Sequence, residues 1–351
     1  MKRRGFVVPV FLPALPGRNR LIDPPIRPAG LDHAAWRERA GVAVDETLAR
    51  RERRADPGPP QLGFFGGSFG AMPMPWQRES LEFARSLRGR IDAVRVTLEP
   101  GDVDAALLDR LAEAKVTTIE LDVGSFDDEA LATCGFGWRV SAAVDAFHAI
   151  HARGFETGLI LRPGMPGGTP AEVLRTARRA IELVPAFVRI YPVLVLENTP
   201  LATAFESRRY RPLSLDEGVQ TCSELLRLFA EAAVPVSRVG FQPAVDLDGG
   251  ATVIAGPWHP ALRALAETPV WLDRASTLIA ANFRFQKELT LIVAPQDESR
   301  VRGLQGSIVK RLREKFRLEK LHVRIDDAAA DGSLALEVLD AGQSVAKRIA
   351  G

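Results

Sequence analysis

The stretch ETGLILRPGMPGGTPAEVLRTARRAIELVPAFVRIYPVLVL, residues 156–196, contains one complete strand–helix–strand unit. Its ends, ETGLILR (156–162) and FVRIYPVLVL (187–196), are short apolar runs of the kind found in strands buried on both faces. Between them, Pro170–Leu183 is amphipathic and long enough for about three helical turns. Two strands joined through a helix lie parallel in one sheet.

The alternation continues outward on both sides. Upstream, GFVVPVFL (5–12), LGFFGG (62–67), AVRVTL (93–98) and TTIELDV (117–123) read as strands. Trp76–Leu87, Val103–Ala114, Val140–Arg153 and Leu215–Ala232 read as amphipathic helices. Six such units predict an α/β fold, a partial (β/α)6 barrel of the TIM type, since eight units typically need about 250 residues. Its functional groups are expected at the C-terminal ends of the strands. The barrel and its extension are assigned to residues 1–270. The charged segment ARRERRADPGPP ends a helix and turns the chain into the second strand.

Composition narrows the class. Apolar residues make up 46% and charged residues 26% of the 351, which argues for a globular chain and against disorder. No apolar run is long enough to cross a bilayer and no small-residue cleavage site follows the start, so a cytoplasmic protein without membrane contact is expected. The two cysteines, Cys134 and Cys222, are too few for a thiolate metal cage and read as buried apolar filler. Glu120 and Asp122 share one face of a strand, either as paired carboxylates for acid–base work or, the preferred reading, as partners of arginines such as Arg95 or Arg189. His148 and His151 share a helix face with Asp145 one turn earlier, and a solvated polar face is preferred there to a metal site. His259 reads as a structural hydrogen-bonding residue, and His322 has no sequence neighbour to work with.

A second unit begins near Gln286 and is assigned to residues 285–345. The order strand, short helix, G-x-x-G loop, helix, strand over 288–326 is the minimal KH arrangement, a KH-like βααβ unit. Gly303 and Gly306 let the backbone approach phosphates, Ser307 is expected to cap the next helix, and Arg302, Lys310, Arg311 and Arg313 supply charge. Although the whole chain is only +2, nine Lys or Arg face two Glu between Arg300 and Arg324, so RNA is expected to bind here. A solvated basic face on a plain interhelical turn is the alternative.

Read together, GFFGGSF (63–69), GLILRPGMPGGT (158–169), FVRIYPVLVLENTPLA (187–202), YRPLSLDEG (210–218), RVGFQP (238–243) and AGPWHPA (255–261) resemble the radical SAM domain of Elongator catalytic-subunit-like proteins, in the bacterial form without the acetyltransferase domain. The resemblance implies S-adenosylmethionine as cofactor, with Gly66, Gly67 and Ser68 at the methionine amino group and Thr97 at the ribose. A plain exit turn after a strand explains the same glycines without a ligand. It also implies a C-x3-C-x2-C loop after the first strand, whose thiolates hold a [4Fe-4S] cluster. At those positions this chain has Gly17, Leu21 and Pro24, none of which can ligate iron. The nearest alternatives, Asp23 and His33, suit a soft cluster poorly.

Other family positions change as well. Glu99 replaces a positive side chain, Asp122 and Gly124 replace the glycine and the glutamine of a Gly-Val-Gln-Ser pattern, GFGWRV (135–140) replaces Arg-Gly-His-Thr, and Gly168 replaces an aspartate. The resemblance therefore implies a member that has lost the [4Fe-4S] cluster. Such a protein is a pseudoenzyme that binds RNA, tRNA in the first instance, or a protein partner, and the Pro- and Arg-rich loop is expected to fill the cluster's volume. The alternative is an active enzyme using S-adenosylmethionine through a non-standard site.

Overall fold

In the computed structural model, residues 6–12, 21–22, 32–53, 60–241, 252–282, 286–340 and 343–345 are described. Six strands, β1 (Phe6–Phe11), β2 (Pro60–Phe65), β3 (Ala93–Leu98), β4 (Thr118–Gly124), β5 (Glu156–Leu161) and β6 (Phe187–Ile190), pair side by side in chain order. Every pair is parallel. All seven residues of β4 are buried, as expected of a central strand covered on both faces. The result is a curled half-barrel with its helices outside, as the alternating pattern predicts.

The connecting helices are α1 (His33–Arg53), α2 (Met74–Ser86), α3 (Ala105–Glu113), α4 (Asp128–Thr133), α5 (Val140–Ala152) and α6 (Pro170–Glu182). Local chemistry starts them where the chain must turn. Asp104 accepts from Leu107 N–H at the head of α3, and Thr169 accepts from Glu172 N–H with Pro170 as the first helical residue of α6.

The sheet extends one strand further than the six expected. The predicted run FVRIYPVLVL splits, because Pro192 has no N–H to give a ladder. Its second half forms β7 (Val195–Leu196), which α7 (Pro200–Glu206) and α8 (Leu215–Glu231) follow. β8 (Val236–Val239) then joins β6 in parallel and completes a seven-stranded sheet. Its sequence, VSRV, has too few apolar positions to announce a strand. β9 (Val253–Ala255) pairs with β7 in an antiparallel ribbon of two strands.

The chain divides into two compact units, residues 1–218 with 228–260, and residues 219–227 with 261–351. The second unit contains α9 (Leu262–Asn282), β10 (Glu288–Val293), α10 (Glu298–Arg302), α11 (Ser307–Phe316), β11 (Lys320–Ile325), β12 (Leu334–Asp340) and β13 (Gln343–Val345). Its sheet runs β11-β10-β12-β13, parallel between β10 and β11 and antiparallel elsewhere. Trp271, Ile279, Leu291, Ile308, Leu312 and Val323 make its core. The helix α9 and the antiparallel strands complete a core that a bare βααβ unit would leave open.

Candidate functional site

At the C-terminal ends of the parallel strands lies a cavity of about 260 Å³. β2 ends into Gly66 and Gly67, with φ of 109° and 134°, values that only glycine adopts at little cost. A Cβ on Gly66 would also stand 3.4 Å from the carbonyl of Leu12. Ser68, buried, accepts from the Glu99 N–H at 3.1 Å through its hydroxyl, tying the β2 exit to the β3 exit. Thr97 comes from β3. All four residues that the resemblance assigns to cofactor binding line this one cavity.

The charged groups of the mouth are arranged in pairs. Arg162, the first residue after β5, donates from Nε to Asp122 Oδ1 at 3.1 Å and from Nη2 to Oδ2. Burial pulls the Arg162 guanidinium pKa down, but Asp122, with help from Glu99, outweighs this and leaves it above its ordinary value. Beneath the mouth, Glu120 is fully buried between two guanidiniums. Arg95 Nη1 lies 2.5 Å from its Oε1, and Arg189 bonds its Oε2. Arg189 also donates to the Tyr191 hydroxyl, while Arg95 bonds Gln61 at 3.0 and 2.7 Å. The preferred reading of Glu120 as an arginine partner is therefore met, and Asp122 takes Arg162 rather than either arginine named from the sequence. Phe11 with Phe65 and Tyr191 with Phe241, at ring distances of 6.4 and 4.8 Å, add aromatic walls.

With two cysteines in the chain, the donors among the described residues do not fit an iron–sulfur cluster. Leu21, which the resemblance sets at the middle ligand position, gives its N–H to the Cys134 carbonyl at 3.0 Å and packs with Ile22 on an apolar cluster that includes Leu131, Met165, Val193 and Leu201. Gly17, Pro24 and Asp23 lie outside the described residues, as does most of the loop expected to fill the cluster's volume. Cys134 is buried inside that apolar cluster, its Sγ 3.8 Å from the Pro166 carbonyl. Cys222 is buried in the second unit, where desolvation pushes its thiol up to about 12. Both cysteines are thus buried, as apolar filler would be. His33 sets its ring edge-on to Trp76 at 4.1 Å.

His148 and His151 both contact the Phe147 ring, at 5.8 and 6.0 Å. Neither they nor any other three His, Cys, Asp or Glu among the described residues are grouped to hold a metal ion. His259 is half-buried just after β9. Sequence reasoning missed Arg162, Tyr191 and Phe241 as wall residues. Their only signal was position, one or two places beyond a strand end.

In the second unit the G-x-x-G turn joins α10 to α11. Gly303 has φ 72°, and a Cβ there would meet Ser307 Oγ at 2.7 Å and Ile308 Cγ1 at 2.8 Å. Gly306 is also left-handed but faces open space. One expectation is corrected: Ser307 does not cap α11. Gly306 occupies the cap position with no side-chain bond, and Ser307 is the first helical residue. Of the predicted basic contacts, Arg302 is bonded to Glu298 and the Val323 carbonyl and Arg313 to the Glu319 carbonyl, while Lys310 and Arg311 are without such ties among the described residues.

Comparison with known proteins gives a consistent picture. The model of the Radical SAM superfamily matches residues 35–180, and that of the Radical_SAM C-terminal domain matches residues 185–270. The tRNA uridine(34) acetyltransferase of Methanocaldococcus infernus is 24% identical over 204 residues, 51% of this chain and 38% of that protein. The heme chaperone HemW of Haemophilus influenzae is 28% identical over 180 residues, 49% of this chain and 44% of its own length. The chain thus spans less than half the length of each of these relatives. Among solved structures, archaeal Methanocaldococcus infernus Elp3 with an N-terminal deletion superposes with a TM-score of 0.60 at 18% identity, over 78% of this chain and 64% of that one, a likeness of fold.

Proposed function

The chain belongs to the radical SAM superfamily, and from that premise we propose that it is a cluster-free, Elongator-like member that performs no radical chemistry and acts in the cytoplasm by binding RNA. The observation that carries this reading is the loop after β1. A [4Fe-4S] cluster needs soft thiolates, and the position between Gly17 and Pro24 is a leucine whose N–H is bonded to Cys134. The superfamily match begins at residue 35, past that loop, in keeping with a segment that has diverged.

RNA binding belongs, in this reading, to the second unit, a KH-like turn followed by a basic helix. Gly303 is packed too tightly for any side chain, Gly306 faces open space, and Lys310 and Arg311 stand beside the turn on α11. The tRNA uridine acetyltransferases among the relatives make tRNA the first RNA to try.

A second reading, that S-adenosylmethionine still binds, is favoured by the way Gly66, Gly67, Ser68 and Thr97 share one cavity. Those residues would hold it, and it would supply an activated methyl group. Anaerobic incubation with iron and sulfide, followed by metal analysis and a scan of the thiolate-to-iron absorbance band, tests the main reading: no bound iron is expected, and four irons per chain would refute it. For RNA, Gly306→Asp puts a carboxylate where phosphate would lie. A severe loss of tRNA retention in a filter assay at fixed salt is expected, and unchanged affinity would remove the tail from the proposal. Size-exclusion mass with and without tRNA reports whether a protein partner, rather than RNA, occupies it.

A further inference from the structure

The Asp122–Arg162 pair at the barrel mouth has the geometry of a ligand site filled from within. Arginine receives a carboxylate through a flat fork of parallel N–H groups, one to each oxygen. Arg162 makes that fork with its own chain, from Nε to Asp122 Oδ1 at 3.1 Å and from Nη2 to Oδ2. Both residues line the cavity, and the Arg162 side chain keeps 27% of its surface exposed against 9% for Asp122. The register brings them together: Asp122 pairs with Ile160 across β4 and β5, and Arg162, two residues on, lies on the same face as Ile160. The strands do not need the pair to hold them, since their own ladder joins them along the length of β5. The fork is also anchored without its occupant, because the Arg162 N–H donates to the Gly124 carbonyl at 2.7 Å, a bond in which the Asp122 side chain has no part. The other edge of the guanidinium, Nη1 with the second Nη2 proton, would set an entering anion a few ångströms from the Asp122 carboxylate. Like charges repel strongly in such poorly solvated surroundings.

We infer that the Arg162 fork is a binding site for a carboxylate, that Asp122 is its occupant in this chain, and that Asp122 thereby sets the mouth against ligands that dock through a carboxylate, amino acids among them. The inference stands apart from the RNA reading and does not depend on what the loop after β1 holds. It assigns a site, the chemical group that fits it and the residue that keeps it closed.

The test compares benzoate with benzamide, which offer the same ring to Phe65, Tyr191 and Phe241 and differ in the charge of the group it carries. Both are titrated calorimetrically into the full chain as wild type, as Asp122→Asn, which removes the charge, and as Asp122→Ala, which vacates the fork. Every other group at the mouth, Glu99 included, is common to the three proteins, so a difference between them belongs to the Arg162 fork. The ratio of benzoate to benzamide affinity is expected to rise about tenfold or more in each variant, the weight of hydrogen bonds to a charged group. Adding Arg162→Gln to Asp122→Asn should abolish the rise. Circular dichroism reports whether each variant folds, and a larger benzoate-dependent gain in melting temperature for the variants than for wild type reads the same effect. An unchanged ratio, no benzoate binding by either single variant, or a rise that survives Arg162→Gln would overturn the inference and leave the pair a structural one. The cluster-free reading is tested separately by bound iron, on which none of these outcomes bears.

Discussion

Removing the Glu120 carboxylate should destabilise the half-barrel more than any other single charge deletion in the first unit. Glu120 is 0% exposed, and Arg95 and Arg189, at 6% and 5%, both point their guanidiniums at it. In Glu120→Ala two buried cations lose their counter-charge. Breaking one buried pair in this way typically costs about 3–5 kcal/mol, a large share of the roughly 5–15 kcal/mol by which a domain is stable. At roughly 2–4 °C per kcal/mol for a unit of this size, the melting temperature should fall by about 6–20 °C. Glu120→Gln, which keeps an acceptor oxygen for one arginine, should fall between wild type and alanine. Adding Arg189→Met to Glu120→Ala should recover part of the loss, since it removes one uncountered charge, so the two changes should be strongly non-additive. Differential scanning calorimetry reads all three. The reference is Glu182→Ala, which breaks the surface pair with Arg179 (47% and 60% exposed) and should cost at most about 1 kcal/mol. A Glu120→Ala shift no larger than this reference would refute the claim that the buried triad is electrostatically coupled.

The two glycines of the G-x-x-G turn should respond differently to alanine. Gly303→Ala clashes with Ser307 and the Ile308 side chain and should lower the denaturation midpoint of the second unit, while Gly306→Ala, strained but unobstructed, should cost less by the same measurement. Arg311→Gln should weaken RNA binding and reduce the salt slope of the binding constant by about 0.7 for each phosphate the side chain no longer neutralises, read in filter assays over a salt series. Both thiols should resist alkylation in the native protein and both should react after denaturation. Burial raises the Cys222 thiol from about 9 to about 12, so the stability linked to it is complete below 9 and is lost as pH climbs toward 12; Cys222→Ala should flatten that part of the alkaline denaturation curve.

The parts of the fold that were legible are those written in short-range pattern. β4 and the helix α6 declare themselves through continuous burial and a Thr-Pro start, and both occur within a residue or two of where the sequence puts them. β8 does not, because a four-residue edge strand with serine and arginine inside it has no period to read. Ser307 misled for a related reason. A serine at a helix start usually caps it, but here the left-handed Gly306 has taken the cap position, and a backbone angle leaves no trace in side-chain chemistry.

The site divides along the same line. The pairing of Glu120 with an arginine was readable because two residues along a strand share a face, whereas Arg162 on Asp122 was not, since the register that aligns β4 with β5 joins residues forty positions apart. Thiolate ligands are a matter of composition. A three-thiolate site needs three cysteines, and a chain of 351 residues with two cannot assemble one within itself, whatever its fold. Composition alone excludes that ligand set. What the structure adds is that both thiols are buried, Cys134 within an apolar cluster, and that Leu21 is anchored by its backbone to the Cys134 carbonyl.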